Sequence, residues 1–235
     1  QLNSAVQGFV TNFMTAVNPQ ITKSYASGDR DYMLSLVSKS SRMSFYLLFM
    51  IALPLLFNTE YILELWLKDV PSHSAAFVRL FLVFALSESL SNSLITAQLA
   101  TGKIRNYQII VGGLQLLNIP VAYIFLKAGA PAESTVAVSI VISQICLAAR
   151  LALLKGMIGL SPKDFFLRVY LNVLTVAVCA IVIPLAITRI LPYGFAGFCV
   201  RAFVCVVSAA LSVLFVGCRR NERRMMMSFI LNKEA

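Results

Sequence analysis

The sequence predicts an all-α polytopic membrane bundle of about seven transmembrane helices, and three observations predict it. Residues of the set AVILMFWYC fill 59% of the 235 positions, and the mean hydropathy is +0.81. Charged residues make up only 13%, where a soluble domain carries about 25%. Basic residues gather in alternate connections along the chain. A crossing of the bilayer core takes about 20 mainly apolar residues, so seven crossings take roughly 140, close to the apolar total. These features exclude a soluble globular enzyme, a disordered chain and a disulfide scaffold. Composition names no substrate.

The first candidate span, Leu2–Ile21, is the least apolar. A shorter one centres on Ser44–Phe57 and borrows a turn beyond Arg42 on its cytoplasmic side. The connection Asn58–Ser74 carries Tyr61, Trp66, Lys68 and His73 around the apolar stretch Tyr61–Leu67. It reads as a short helix lying at the membrane interface, anchored by Trp66. His73, the sole histidine, is either a solvated loop residue or a proton-coupling group. Five clear spans follow at Ala75–Ala100, Tyr107–Leu126, Thr135–Leu154, Leu171–Ile190 and Phe195–Val216. Thr101–Asn106 and Leu191–Gly194 are too short to hold a domain, and no repeat of solenoid period is visible.

Charge sets the topology. Lys23, Arg30, Lys39 and Arg42 follow the first span, and Lys103 and Arg105 the third. Arg150, Lys155, Lys163 and Arg168 follow the fifth, and Arg219, Arg220, Arg223, Arg224 and Lys233 the seventh. The opposite side holds Lys68, Arg79, Lys127, Arg189 and Arg201. Fifteen against five, alternating at every connection, is the positive-inside pattern, with the N-terminus outside and the C-terminus cytoplasmic. The alternation also supports counting Leu2–Ile21 as a span. The net charge of +10 is then topological, and no nucleic-acid partner is implied. Cys146, Cys179, Cys199, Cys205 and Cys218 show no CxxC or Cys/His metal spacing, and read as small buried apolar residues.

Polar groups inside a membrane are costly and face a cavity or another helix. Asn3, Gln7, Thr11, Thr15 and Asn18 recur at spacings of four, four, four and three. At ~100° per residue they share one face, with Ser4 and Thr22 beside them and Val6, Phe9, Phe13 and Ala16 opposite. That face is either a wall of an aqueous translocation pathway or a polar seam between helices. The third span carries Arg79 near its outer end, then Glu88, Ser91, Asn92, Thr96 and Gln98. Glu88 is the acid at mid-membrane depth, where an ionised carboxylate costs about 2.5–3.5 kcal/mol. It either lines the cavity, where protonation or cation binding biases the conformation, or is a protonated carboxyl bonded to a neighbouring helix. Arg79 either neutralises an anionic headgroup or diphosphate, or snorkels outward. In the fourth span Gln115 and Asn118 precede Pro120, which removes a backbone donor and permits a bend. Gln144 is a lone amide better suited to helix glue. Nucleophile–base pairs, paired carboxylates, metal clusters and glycine-rich phosphate cradles are absent from the sequence, so neither enzyme nor cofactor is expected.

The runs TAVNPQITKSYASGD (Thr15–Asp29), LPLLF…ILELWLKDVP and FVRL…SNSL…ATGKIRNYQIIVGGLQLLNIPVAYIFLKAG (Phe77–Gly129) resemble bacterial oligosaccharide flippases. More narrowly, they resemble the O-antigen translocase and polysaccharide-export group of the superfamily that also holds multidrug exporters. The resemblance implies a MATE-like transporter of two similar lobes and 12 or 14 spans in the bacterial inner membrane. Its cargo would be undecaprenyl-diphosphate-linked oligosaccharide, moved from the cytoplasmic to the outer leaflet. Members begin in the cytoplasm, so their even-numbered spans run inward, as the first span does here. The chain would then run from span 8 to span 14 as the second lobe. Residues 1–160 would be five spans of that lobe, 161–217 an additional helix pair and 218–235 a basic cytoplasmic tail. The implied partners are the lipid-linked oligosaccharide, membrane lipids, an N-terminal lobe of the same chain and other glycan-assembly membrane proteins. A cation-coupled drug exporter of the same superfamily and a non-transporting scaffold of glycan assembly are the alternatives.

Overall fold

The computed structural model describes residues 2–67, 69–187, 194–218 and 222–223. Among them all regular structure is helical. The elements are α1 (Leu2–Ala26), α2 (Arg30–Phe57), α3 (Thr59–Trp66), α4 (Ser74–Ala100), α5 (Ile104–Lys127), α6 (Ser134–Ile158), α7 (Pro162–Ile187) and α8 (Phe195–Gly217). Six of them, α2 and α4 to α8, are long and apolar enough to cross a membrane. The chain is therefore a multi-pass membrane protein in its composition and helix lengths. α1 has 25 residues but is less apolar than these six.

Local sequence explains where the helices turn. Gly28 ends α1 with φ +77°, in the left-handed region that glycine enters at no steric cost, and the Asp29 N–H then bonds the Ser24 carbonyl at 3.1 Å. Asp29 starts α2 by accepting the Tyr32 N–H at 3.1 Å. Ser161 starts α7 in the same way, accepting the Asp164 N–H at 3.3 Å, with Pro162 at the first helical position.

Two helices are interrupted. α4 comprises Ser74–Ser89 and Asn92–Ala100, broken at Leu90 and Ser91. The run Ser87–Ser93 holds four serines and an asparagine, whose side chains compete with the helical backbone. The break is tied to α2: the Ser41 hydroxyl donates to the Leu90 carbonyl at 3.1 Å, and the Ser93 hydroxyl to the Val37 carbonyl at 3.0 Å. α5 has a π-helical turn over Gln108–Gly112 and a second break at Leu117, three residues before Pro120. The helix is thus interrupted on the N-terminal side of that proline, where the ring disturbs the preceding turn.

One hydrophobic core runs through α1, α2, α4, α6, α7 and α8, with Ile21, Val37, Leu53, Leu94, Leu154, Val176 and Ala209 all fully buried. It continues across residue 160 into α7 and α8 without a separate centre. A smaller cluster joins α5 to α6 through Tyr107, Val111, Val138, Ile142 and Cys146. Elsewhere α5, α7 and α8 present apolar side chains outward, as at Ile119 and Phe203. In lipid such surface costs nothing, so packing and interhelical hydrogen bonds hold the helices together.

The structure corrects several expectations. α2 is helical back to Arg30, so Arg30, Lys39 and Arg42 lie on a helix rather than in a connection. Arg42 is buried, and its guanidinium donates to the Gly217 carbonyl at 3.2 Å and to Glu222 at 2.7 Å. Arg150 also lies inside a helix, α6, and is buried. α7 begins at Pro162, earlier than the expected Leu171, because a π-helical turn over Phe166–Tyr170 carries the helix through Arg168. Cys179 and Cys199 are exposed, facing away from the core, while Cys146, Cys205 and Cys218 are buried as expected. The short helix α3 is present, with Trp66 exposed and Tyr61 stacked on Phe198 of α8 at 5.1 Å between ring centres.

Candidate functional site

α1 and the C-terminal half of α4 line an open cavity of about 270 Å³, formed by Thr11, Thr15, Asn18, Asn92 and Thr96 with Val10, Met14, Ile95 and Leu99. Five polar side chains from two helices meet here in a bundle whose other intramembrane walls are largely apolar. The core face of α1 is Val10, Met14 and Ile21, and its polar stripe lies beside that face. The Thr96 hydroxyl donates to Asn18 Oδ1 at 2.7 Å, with the Asn92 carbonyl 3.2 Å away. Thr15 returns its hydroxyl to the Thr11 carbonyl at 2.8 Å, and Thr22 to the Asn18 carbonyl at 3.1 Å. The Thr15 and Thr96 hydroxyl protons are thus satisfied within the protein, and their oxygens can still accept bonds from a guest. Chemically the cavity offers neutral hydroxyl and amide groups, the pattern that binds polyols. The break at Leu90 and Ser91 sets the direction of the half-helix bearing Asn92 and Thr96.

Four residues of the predicted set thus converge with Thr96: Thr11, Thr15, Asn18 and Asn92. Asn3 and Gln7, the outer members of the same stripe, have side chains outside the described residues. Glu88 belongs to a different surface. It accepts a hydrogen bond from Ser143 of α6, whose hydroxyl lies 3.2 Å from Ser87, and Gln144 donates to Ser87 on the same seam. Arg79 sits near the N-terminal end of α4, where its Nη2 lies 2.6 Å from both carboxylate oxygens of Glu60 and its Nε donates to the Leu56 carbonyl at 3.4 Å. Asn118 pairs with Ser139 of α6, donating at 2.8 Å, and Gln115 is exposed.

Sequence reasoning missed Arg150. Its Nη1 donates to the Ser91 hydroxyl at 2.9 Å and its Nε to the Tyr107 hydroxyl at 3.1 Å. Its side chain joins α6 to the break in α4 and to the start of the π-helical turn in α5. The available signal was an arginine embedded in the apolar run Ala148–Leu154, which was assigned to the following connection. His73 Nδ1 lies 2.5 Å from Glu133 Oε1, linking the start of α4 to that of α6. The Glu133 backbone N–H, and then the His73 imidazole, hold the Glu133 carboxyl below the usual carboxylate range. Among the described residues no group of three or more His, Cys, Asp or Glu could hold a metal ion. No family model matches the chain, and neither a curated protein nor a solved structure matches it.

Proposed function

We infer that the chain is the C-terminal part of a membrane flippase that moves undecaprenyl-diphosphate-linked oligosaccharide from the cytoplasmic to the outer leaflet by alternating access. The observation that carries this is the cavity between α1 and the C-terminal half of α4, where Asn18, Asn92, Thr96, Thr11 and Thr15 offer neutral hydrogen-bonding groups inside an apolar bundle. Polar groups at that depth are costly unless water or a polar guest meets them. Sugar hydroxyls are such guests. α1 serves as the seventh span: 25 residues at a rise of 1.5 Å reach about 37 Å, more than the ~30 Å hydrocarbon core. Its polar stripe then faces the pathway of a MATE-like two-lobe transporter, whose other wall is the N-terminal lobe. The resemblance in Thr15–Asp29 and Phe77–Gly129 supplies the substrate class. The interrupted helices α4 and α5 supply the discontinuous helices at which such lobes rearrange.

The test uses the gene in its host. Deletion should make undecaprenyl-linked glycan intermediates accumulate while surface polysaccharide disappears, and the intact gene should restore both. The double variant Asn18→Leu/Asn92→Leu, present at wild-type levels in the membrane, should fail to restore them. Normal intermediates with new sensitivity to cationic dyes would replace this function with cation-coupled drug export. Full restoration by the double variant would replace it with a scaffold of glycan assembly.

A further inference from the structure

A second cavity, of about 280 Å³, lies between the first turns of α2 and the start of α7. Its charged lining is Asp31, Lys39 and Arg42 from α2 with Asp164 and Arg168 from α7. Leu160 and Phe165, both buried, give it an apolar wall, and Ser35, Ser38 and Ser161 add hydroxyls.

Charge counting shows what this cavity is built for. Arg42 is already balanced, with Glu222 at 2.7 Å. That leaves two cations, Lys39 and Arg168, and two carboxylates, Asp31 and Asp164. Among the described residues none of the four is in an ion pair within 4.0 Å, the pairs there being Arg42–Glu222, His73–Glu133 and Arg79–Glu60. A cavity whose opposite charges are presented separately, instead of neutralising each other, is complementary to a ligand that is itself zwitterionic. A simple anion would gain from the two cations and be repelled by the two carboxylates.

Depth supplies the second constraint. α2 has 28 residues, and at a rise of 1.5 Å it is about 42 Å long against a hydrocarbon core of ~30 Å. Measured from its outer end at Phe57, the hydrocarbon ends about 20 residues earlier, near Ser38. Asp31–Ser38 therefore stand in the headgroup layer of the leaflet that the majority of basic residues marks as cytoplasmic. Basic pockets between helices at that level are where headgroup phosphates bind.

We propose that this cavity is a binding site for a zwitterionic phospholipid headgroup of the phosphoethanolamine class. Lys39 and Arg168 take the phosphodiester, Asp31 and Asp164 take the ammonium, and Phe165 and Leu160 cover the glycerol end. A lipid held there would contact α2 and α7 at once, fixing the α7–α8 pair against the rest of the bundle. The site does not depend on what the protein transports.

The full chain is extracted in mild detergent and exposed to equal amounts of phosphatidylethanolamine, phosphatidylglycerol and phosphatidylcholine, and bound lipid is counted by native mass spectrometry. Phosphatidylethanolamine should dominate. Lys39→Gln/Arg168→Gln should reduce its retention about ten-fold, a loss of ~1.4 kcal/mol, and Asp31→Asn/Asp164→Asn should shift the preference to phosphatidylglycerol. Lys23→Gln/Lys103→Gln, a control on exposed cations elsewhere on the same side, should leave retention unchanged. Retention of phosphatidylethanolamine by the Lys39/Arg168 variant at the wild-type level would overturn the site. Equal or greater binding of phosphatidylglycerol or phosphatidylcholine by the wild type would overturn its zwitterionic character. Complete displacement of the lipid by millimolar inorganic phosphate would show that the ligand is free phosphate rather than a headgroup.

Discussion

The buried guanidinium of Arg150 in α6 donates to the hydroxyl of Ser91, 2.9 Å away, and Ser91 is a residue at which α4 breaks. The same guanidinium reaches the Tyr107 hydroxyl at 3.1 Å. One side chain therefore fixes α6 to the irregular points of both α4 and α5. Lysine, with a single ammonium on a flexible stem, does not reproduce this fork. Arg150→Lys should lower stability by about 1–3 kcal/mol, and Tyr107→Phe, which strands one buried donor, by a similar amount. Titration of the detergent-solubilised protein with a denaturing detergent, followed by circular dichroism, checks both.

Thr96→Val removes the hydroxyl that meets Asn18 Oδ1 and keeps the volume. Interhelical hydrogen bonds in membranes average about 0.6 kcal/mol, so the fold should survive with a small loss. Under the proposed flippase function, surface glycan should fall further than that loss explains, because the cavity itself becomes apolar at one of its five polar positions. Complementation of the deletion strain, with membrane levels of the protein measured in parallel, separates the two effects.

Gly217 ends α8 where it meets Tyr46 of α2 and Val176 of α7. A Cβ at this position would lie 2.8 Å from Tyr46 Cζ and Oη and 3.1 Å from Val176 Cγ2. The Tyr46 hydroxyl is held between the Asn172 side chain and the Gly217 carbonyl, and so has little room to yield. Gly217→Ala should cost about 1–3 kcal/mol by overpacking, and Gly217→Ala/Tyr46→Leu should recover part of it. Thermal unfolding of the two variants tests the contact.

The link between His73 and Glu133 has a defined dependence on pH. The Glu133 carboxyl is held below the usual carboxylate range in the folded chain, by its own backbone N–H and then by His73. Its stabilising contribution is complete above the unfolded-state value of about 4 and is lost as pH falls through the lower folded-state value. From neutral pH down to about pH 5 the carboxylate should stay charged. Hydrogen exchange at the starts of α4 and α6, corrected for intrinsic rates, should rise only in stronger acid. Glu133→Gln should remove that acid step.

Arg79 and Glu60 form a close pair, but both side chains are nearly half exposed. A double-mutant cycle should return only about 0.2–1 kcal/mol. An Arg79→Ala variant that folds normally yet accumulates lipid-linked intermediates would give this arginine a role with anionic substrate beyond its pairing.

Hydropathy, helical period and loop charge are local properties, and they determined what is local here. The membrane class, the presence of the six apolar helices though not the starts of α2 and α7, the short helix carrying Trp66 and the shared face of Thr11, Thr15 and Asn18 could all be read from consecutive residues. Thr11, Thr15 and Asn18 of the first span share a face by the helical period, as do Asn92 and Thr96 of the third, and these five line one cavity. What a polar side chain meets across a helix interface depends on crossing angles and on neighbours that for Arg42, Glu88 and Arg150 lie 43 to 180 positions away, which no window of sequence contains. Only the tertiary structure placed Glu88 against Ser143 instead of in the cavity with Asn92, four residues later on the same broken helix. Only it moved Arg42 and Arg150 from connections to helix interiors, where Glu222 and Gly217 satisfy one and Ser91 and Tyr107 the other. A cation leaves water only when its partners are already in place, and those partners are supplied by the packing of distant segments.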